Sequence, residues 1–183
     1  GALRSHPYLY KEVQAVQDPD SKQGLAAFED ALLGHISFSI SNVTGAFFHN
    51  LTLGLFAEVP ERAEGLEPIY RQLSRASRNF ALVADLTVAT LGGGLKVKQK
   101  ITGRLADALS EIYLLCCVLK RFEDDGRPQS DRAIVAFAAA NGLNRFEEAL
   151  RGTVENFPNP AVRALLRVLV FPFGRHYFPA PDK

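Results

Sequence analysis

The chain has 183 residues, about 1.2 times a typical domain, so one domain with a terminal extension is expected. With 47% hydrophobic and 22% charged residues it is neither disordered, fibrous nor collagen-like. Lys plus Arg exceeds Asp plus Glu by 21 − 20 = +1, too even a balance for a chain built to neutralise phosphates along nucleic acid.

Proline and glycine punctuate the chain at Pro7, Pro19, Pro60, Pro68, Gly92-Gly93-Gly94, Gly126-Arg127-Pro128 and Pro158 to Pro160. From Gly24 to Phe56, apolar side chains fall at Leu25, Phe28, Leu32, Ile36, Ile40, Val43, Phe47 and Leu51, in steps of three and four. That spacing predicts one long helix with these side chains along one stripe. The alternation Ile36-Ser37-Phe38-Ser39-Ile40-Ser41 taken alone reads as a strand, but a lone strand would have no partner.

Leu66 to Leu91 carries Ile69, Leu73, Ala76, Phe80, Val83, Thr87 and Thr90 on an a/d-type seam. Leu95 to Phe122 repeats it with Ile101, Leu105, Ala108, Ile112, Leu115 and Leu119, and the glycine connection makes the two helices antiparallel neighbours. Ser130 to Phe157 places Val135, Ala139, Leu143, Phe146, Leu150, Val154 and Phe157 on one stripe, with Ser130 as N-cap and Gly142 as a point where the helix could split. Asn159-Pro160 is an N-cap followed by proline at the first helical position, opening a short helix that Pro172 and Gly174 stop after Phe171. The expected fold is all-α: an up-down bundle of about four long helices with short terminal ones, spanning residues 1–183 as a single domain.

Arg104, Asp107 and Glu111 interrupt one apolar stretch and Arg163, Arg167 and Pro172 another, so no membrane span is expected. The absence of Met, with Gly1-Ala2-Leu3 at the start, reads as an internal or processed piece of a longer product. Without a secretory context, the sequons Asn42-Val43-Thr44 and Asn50-Leu51-Thr52 carry no meaning.

The residue inventory offers little chemistry. Cys116 and Cys117 point about 100° apart on a helix, a poor disulfide geometry, and their surroundings Leu114-Leu115 and Val118-Leu119 read as core thiols in a reducing compartment. Four histidines, His6, His35, His49 and His176, have no metal-ligand spacing, so no metal site is expected. The triple glycine follows no strand and precedes no Gly-Lys-Ser/Thr, which makes it an interhelical turn rather than a phosphate loop.

Lys96, Lys98 and Lys100 open a helix where the positive end of the macrodipole disfavours them, so they are candidate contacts for an acidic partner: a neighbouring domain, a lipid headgroup or a phosphorylated ligand. Arg104, Asp107 and Glu111 lie three and four residues apart beside the seam, and Arg78 and Asp85 could join them across the helix pair as a structural ion cluster. The terminal Phe171-Pro172-Phe173-Gly174-Arg175-His176-Tyr177-Phe178-Pro179 is too apolar to stand free in solvent.

Several separated motifs resemble one family in the same order. Leu91-Gly92-Gly93-Gly94-Leu95-Lys96, Ile101-Thr102-Gly103-Arg104-Leu105-Ala106-Asp107-Ala108-Leu109-Ser110 and Leu119-Lys120-Arg121-Phe122-Glu123-Asp124-Asp125-Gly126-Arg127 look like the C-terminal extension of the large bacterial acyl-coenzyme A dehydrogenases of fatty-acid β-oxidation. So do the opening Gly1-Ala2-Leu3-Arg4-Ser5-His6-Pro7-Tyr8 and the closing Phe171-Pro172-Phe173-Gly174-Arg175-His176-Tyr177, so the similarity covers essentially the whole chain. Arg104-Leu105-Ala106-Asp107 is also similar to a stretch in the extra C-terminal domain of mitochondrial very-long-chain enzymes.

The resemblance implies a parent that oxidises an acyl-coenzyme A to its trans-2-enoyl form, a glutamate taking the α-proton and FAD the β-hydride. In that family the glutamate, the flavin-binding β-domain and the N-terminal helical domain all lie upstream of Gly1, and a later tail follows the position of Lys183. No catalytic or flavin-binding residue is therefore expected here, and no activity or cofactor in this piece alone. The implied partners are the upstream dehydrogenase domains, a second copy in a homodimer, acyl-coenzyme A in the parent and a peripheral membrane contact. The implied location is cytoplasmic, with attachment to the inner membrane. The alternative is a stand-alone helical interaction or lipid-binding module.

Overall fold

The computed structural model describes residues 8–61, 63 and 65–181. The opening motif's residues 1–7, with His6, lie outside them, as does Lys183. Six α-helices follow in order: α1 Leu9–Val16, α2 Ser21–Leu51, α3 Glu67–Leu91, α4 Gln99–Asp124, α5 Arg132–Glu155 and α6 Pro160–Val170. No strand occurs among the described residues, so the all-α expectation holds. The chain divides into two compact units, Gly1–Thr44 and Gly45–Lys183.

In the first unit α1 packs on the opening of α2. The Asp20 carboxylate accepts from Lys22 N and Gln23 N and starts α2 earlier than Gly24. Two glycines let the helices meet closely: a Cβ on Gly34 would lie 2.5 Å from Tyr8 Cε1, and one on Gly24 would lie 2.7 Å from the Ala15 carbonyl. Ala31 is buried, whereas Leu25, Leu32, Leu33, Ile36 and Ile40 are exposed. The predicted stripe is therefore not the buried face of this stretch. α1 packs where small residues permit contact, and the branched side chains point away.

α2 also corrects the membrane expectation. Residues 31–57 contain no Asp, Glu, Lys or Arg, and Ser21–Leu51 is long and apolar enough to cross a membrane by length and composition. The interruptions in the two later apolar stretches do not bear on it.

In the second unit α3, α4 and α5 form the bundle core, with α6 packed on α5. Glu111 faces Arg145 and Arg104 faces Gly152, so α4 and α5 run antiparallel. α5 keeps its whole predicted stripe: Val135, Ala139, Leu143, Phe146, Leu150 and Val154, followed by Phe157, are all buried. Burying seven such side chains contributes about 1.5–3 kcal/mol for each large one before chain entropy is counted.

Ends are set locally. The triple glycine forms a 3-10 turn, Gly92–Lys96, so α4 begins at Gln99 rather than Leu95. Asn159 caps α6, accepting from Ala161 N and Val162 N. Ser130 does not cap α5: the N-cap is Asp131, and the Ser130 hydroxyl instead donates to the Asp131 carboxylate. Gly142 is buried inside a continuous α5, where its missing side chain faces Glu111 of α4.

Candidate functional site

Lys96 ends the 3-10 turn, Lys98 is the N-cap of α4 and Lys100 lies in its first turn, all exposed. Lys98 and Lys100 line an open depression with Val97, Ile101, Arg104 and Pro158. Of the five residues expected in the ion cluster, Glu111 has its ion pair across the bundle. Glu111 turns to α5, where Arg145 Nε and Nη2 donate to its carboxylate at 2.8 and 3.1 Å, a bond that holds Arg145 more firmly protonated. Arg104 lies against Gly152, Asp107 is exposed, Asp85 is buried, and the exposed Arg78 reaches Gly45. Helical spacing brought Arg104, Asp107 and Glu111 near one another, but the facing helix supplied the partner.

The main polar assembly lies under the C-terminal segment. Glu147 is buried and its carboxylate accepts the main-chain N–H of His176 at 2.9 Å and of Tyr177 at 2.7 Å, while His176 Nδ1 lies 3.4 Å from Oε1. Burial alone would raise this carboxyl, but the bonds from His176 and Tyr177 outweigh it and hold it below the ordinary glutamate range. Arg175 donates to Asn144 Oδ1 at 2.5 Å and to Glu148 at 3.1 Å.

Tyr177 carries the network across to α3. Its hydroxyl donates to Gln72 Oε1 at 2.8 Å, its ring lies under the Arg75 guanidinium, and burial pushes its phenol up to about 12. Arg75 is buried and donates to Asn50 Oδ1 at 2.9 Å, and Asn50 in turn donates to Asn79 Oδ1 and to the Leu169 carbonyl. The expected packing of the aromatic end is thus polar in its anchors. A sequence signal existed: Glu147 falls four residues after Leu143 and three before Leu150, and Asn79 falls between Ala76 and Val83, all on buried stripes.

The cysteines correct another expectation. Cys116 and Cys117 are both exposed, because the buried face of α4 runs through Ala108, Leu115, Leu119 and Phe122. Partial desolvation and then the neighbouring Cys117 push the Cys116 thiol up, which makes it a poor nucleophile. His35 pairs with Glu12 at 2.8 Å in the first unit. His49 is buried in the second, its imidazole held below its ordinary pKa by burial and then by Arg78. No group of three metal-ligating side chains occurs among the described residues.

One surface feature was not anticipated. Where α2 ends, Phe48, Leu51, Leu53, Leu55 and Phe56 are 45–70% exposed within nine residues, and the Phe48 and Phe56 rings lie 5.7 Å apart. The turn that presents them is held: Leu53 has φ 51°, a conformation costing a side-chain-bearing residue about 1–2 kcal/mol. Its carbonyl accepts from Gln72 Nε2 at 3.0 Å, and Gly54 donates to the His49 carbonyl at 2.7 Å.

The profile of the family described as acyl-CoA dehydrogenase, C-terminal, bacterial type, matches residues 3–183. The chain belongs to this family. No solved structure matches it. This C-terminal acyl-CoA dehydrogenase domain therefore consists of a helical bundle with a polar-anchored terminal segment, a lysine-lined depression and an apolar turn.

Proposed function

We propose that this domain serves a parent FAD-dependent acyl-CoA dehydrogenase, the first oxidation step of fatty-acid β-oxidation, as a docking element without catalytic residues of its own. Its contacts are with the upstream dehydrogenase domains of the same polypeptide, with a second copy and, peripherally, with the cytoplasmic face of the inner membrane. The observation that carries the reading is the turn after α2, where five large apolar side chains are exposed on a held backbone. Surfaces of that kind mark partners rather than chemistry.

Neither of the two surface depressions of the second unit fits a flavin. An isoalloxazine needs a slot with facing apolar walls, whereas the Lys98 depression and a second one lined by Arg151, Arg167 and Phe171 are open to solvent. No step of the dehydrogenation is assigned to this chain. A flavin absorbance spectrum of the purified chain, before and after adding palmitoyl-coenzyme A with an electron acceptor, tests the reading. A colourless protein without turnover supports it, and a yellow one that bleaches with substrate overturns it. A stand-alone lipid-binding module is the second reading, favoured by the uncharged run through α2, and an encoding frame without upstream flavin domains would select it.

A further inference from the structure

Resting on the docking reading, we propose that the apolar turn Phe48 to Phe56 of one copy seats in the Val97 and lysine depression of a second copy, twice over, about a twofold axis. The turn is apolar at its centre and acidic beyond it, since Glu58 and Glu61 follow and are exposed. The depression is its complement: Val97 is 82% exposed, Ile101 and Pro158 form apolar wall, Lys98, Lys100 and Arg104 line it beside them, and the exposed Lys96 immediately precedes Val97. An anionic bilayer complements the lysines but repels Glu58 and Glu61, so charge favours this chain's own basic end over a membrane as the seat of the turn.

The two features sit at opposite ends of one helix. The turn is bonded to the start of α3 through Gln72 and packs on Arg71, while the lysines follow its last residue, Leu91. At 1.5 Å per residue they are about 30 Å apart. In the proposed pair the two bundles lie side by side and antiparallel, the arrangement in which each turn meets the other's depression and the contact closes instead of propagating. The held φ of Leu53 also acquires a role, since it keeps Leu55 and Phe56 presented before the partner arrives.

Sedimentation velocity of the whole 183-residue chain tests this. The expected result is a monomer–dimer equilibrium weakened by salt, and weakened about thirtyfold by Phe56→Glu, a change at an exposed position that leaves the helical circular dichroism intact. Glu58→Lys/Glu61→Lys and Lys98→Glu/Lys100→Glu each weaken association, and combining all four substitutions in one chain restores it. A chain that stays monomeric at low salt overturns the proposal, as does association insensitive to Phe56→Glu. So does loss of flotation with phosphatidylcholine vesicles in Phe56→Glu while association is unchanged, which would assign the turn to lipid. None of these outcomes alters the flavin test, whose failure would instead remove the non-catalytic reading.

Discussion

The Glu147 carboxylate on α5 accepts the main-chain N–H of Tyr177 at 2.7 Å, thirty positions along the chain, and so anchors a segment that has no secondary structure of its own. Because its folded pKa is depressed, Glu147 contributes stability that is present above the unfolded glutamate pKa and lost as pH falls through the folded value. Acidification below the ordinary glutamate range should therefore loosen residues 175–181 first. Glu147→Gln is expected to destabilise the domain by about 2–3 kcal/mol and to flatten the acid limb of its stability profile. Chemical denaturation at several pH values, with amide exchange at His176 and Tyr177, measures both.

Asn50 should be among the most sensitive polar positions. It bonds Arg75, Asn79 and the Leu169 carbonyl at once, and Asn50→Ala leaves the buried guanidinium short of an acceptor. A loss of about 3 kcal/mol is expected, the scale for removing one partner of a buried charged group. Equilibrium unfolding in urea with an unchanged m-value checks it.

His49 offers a pH readout. Burial first and Arg78 second depress its pKa, so the folded state disfavours its protonation and stability falls as pH drops through the ordinary histidine range. Arg78→Ala removes the second cause and should move the imidazole back toward its ordinary value. Imidazole chemical shifts followed against pH show the direction.

Cys116 and Cys117 should both react with a maleimide in the native protein, since both are exposed. Cys116 is expected to react more slowly than a free thiol near neutral pH, because its pKa is raised and less thiolate is present. Replacing Cys117 by Ser removes one of the causes and should speed Cys116. Alkylation rates of the two single-serine variants decide it.

Helix identity was legible wherever one apolar stripe faced one neighbour. The α5 stripe from Val135 to Val154 and the Asn159-Pro160 start of α6 are both in the structure as the sequence predicts. The early part of α2 was not legible in the same way. Leu25, Leu32, Ile36 and Ile40 have helical spacing, yet α1 packs where Gly34 lets the Tyr8 ring approach, and periodicity cannot say which face a partner takes. The cysteines misled for a related reason: apolar neighbours in sequence lie on every face of α4, and only one of those faces is buried.

The sequence by itself determined an all-α chain, the spans of the helices after α1 to within about five residues, the glycine turn and the bundle's main seams, because these follow from backbone propensity and from 3.6-residue periodicity. Only the tertiary structure decided that Glu111 pairs with Arg145 rather than with its helical neighbours, and that Glu147, Arg75 and Asn50 form one buried network under Tyr177. It also decided that the turn from Phe48 to Phe56 faces outward. Such contacts join residues from 25 to 119 positions apart, and no local pattern records which distant group will come to lie within hydrogen-bonding reach.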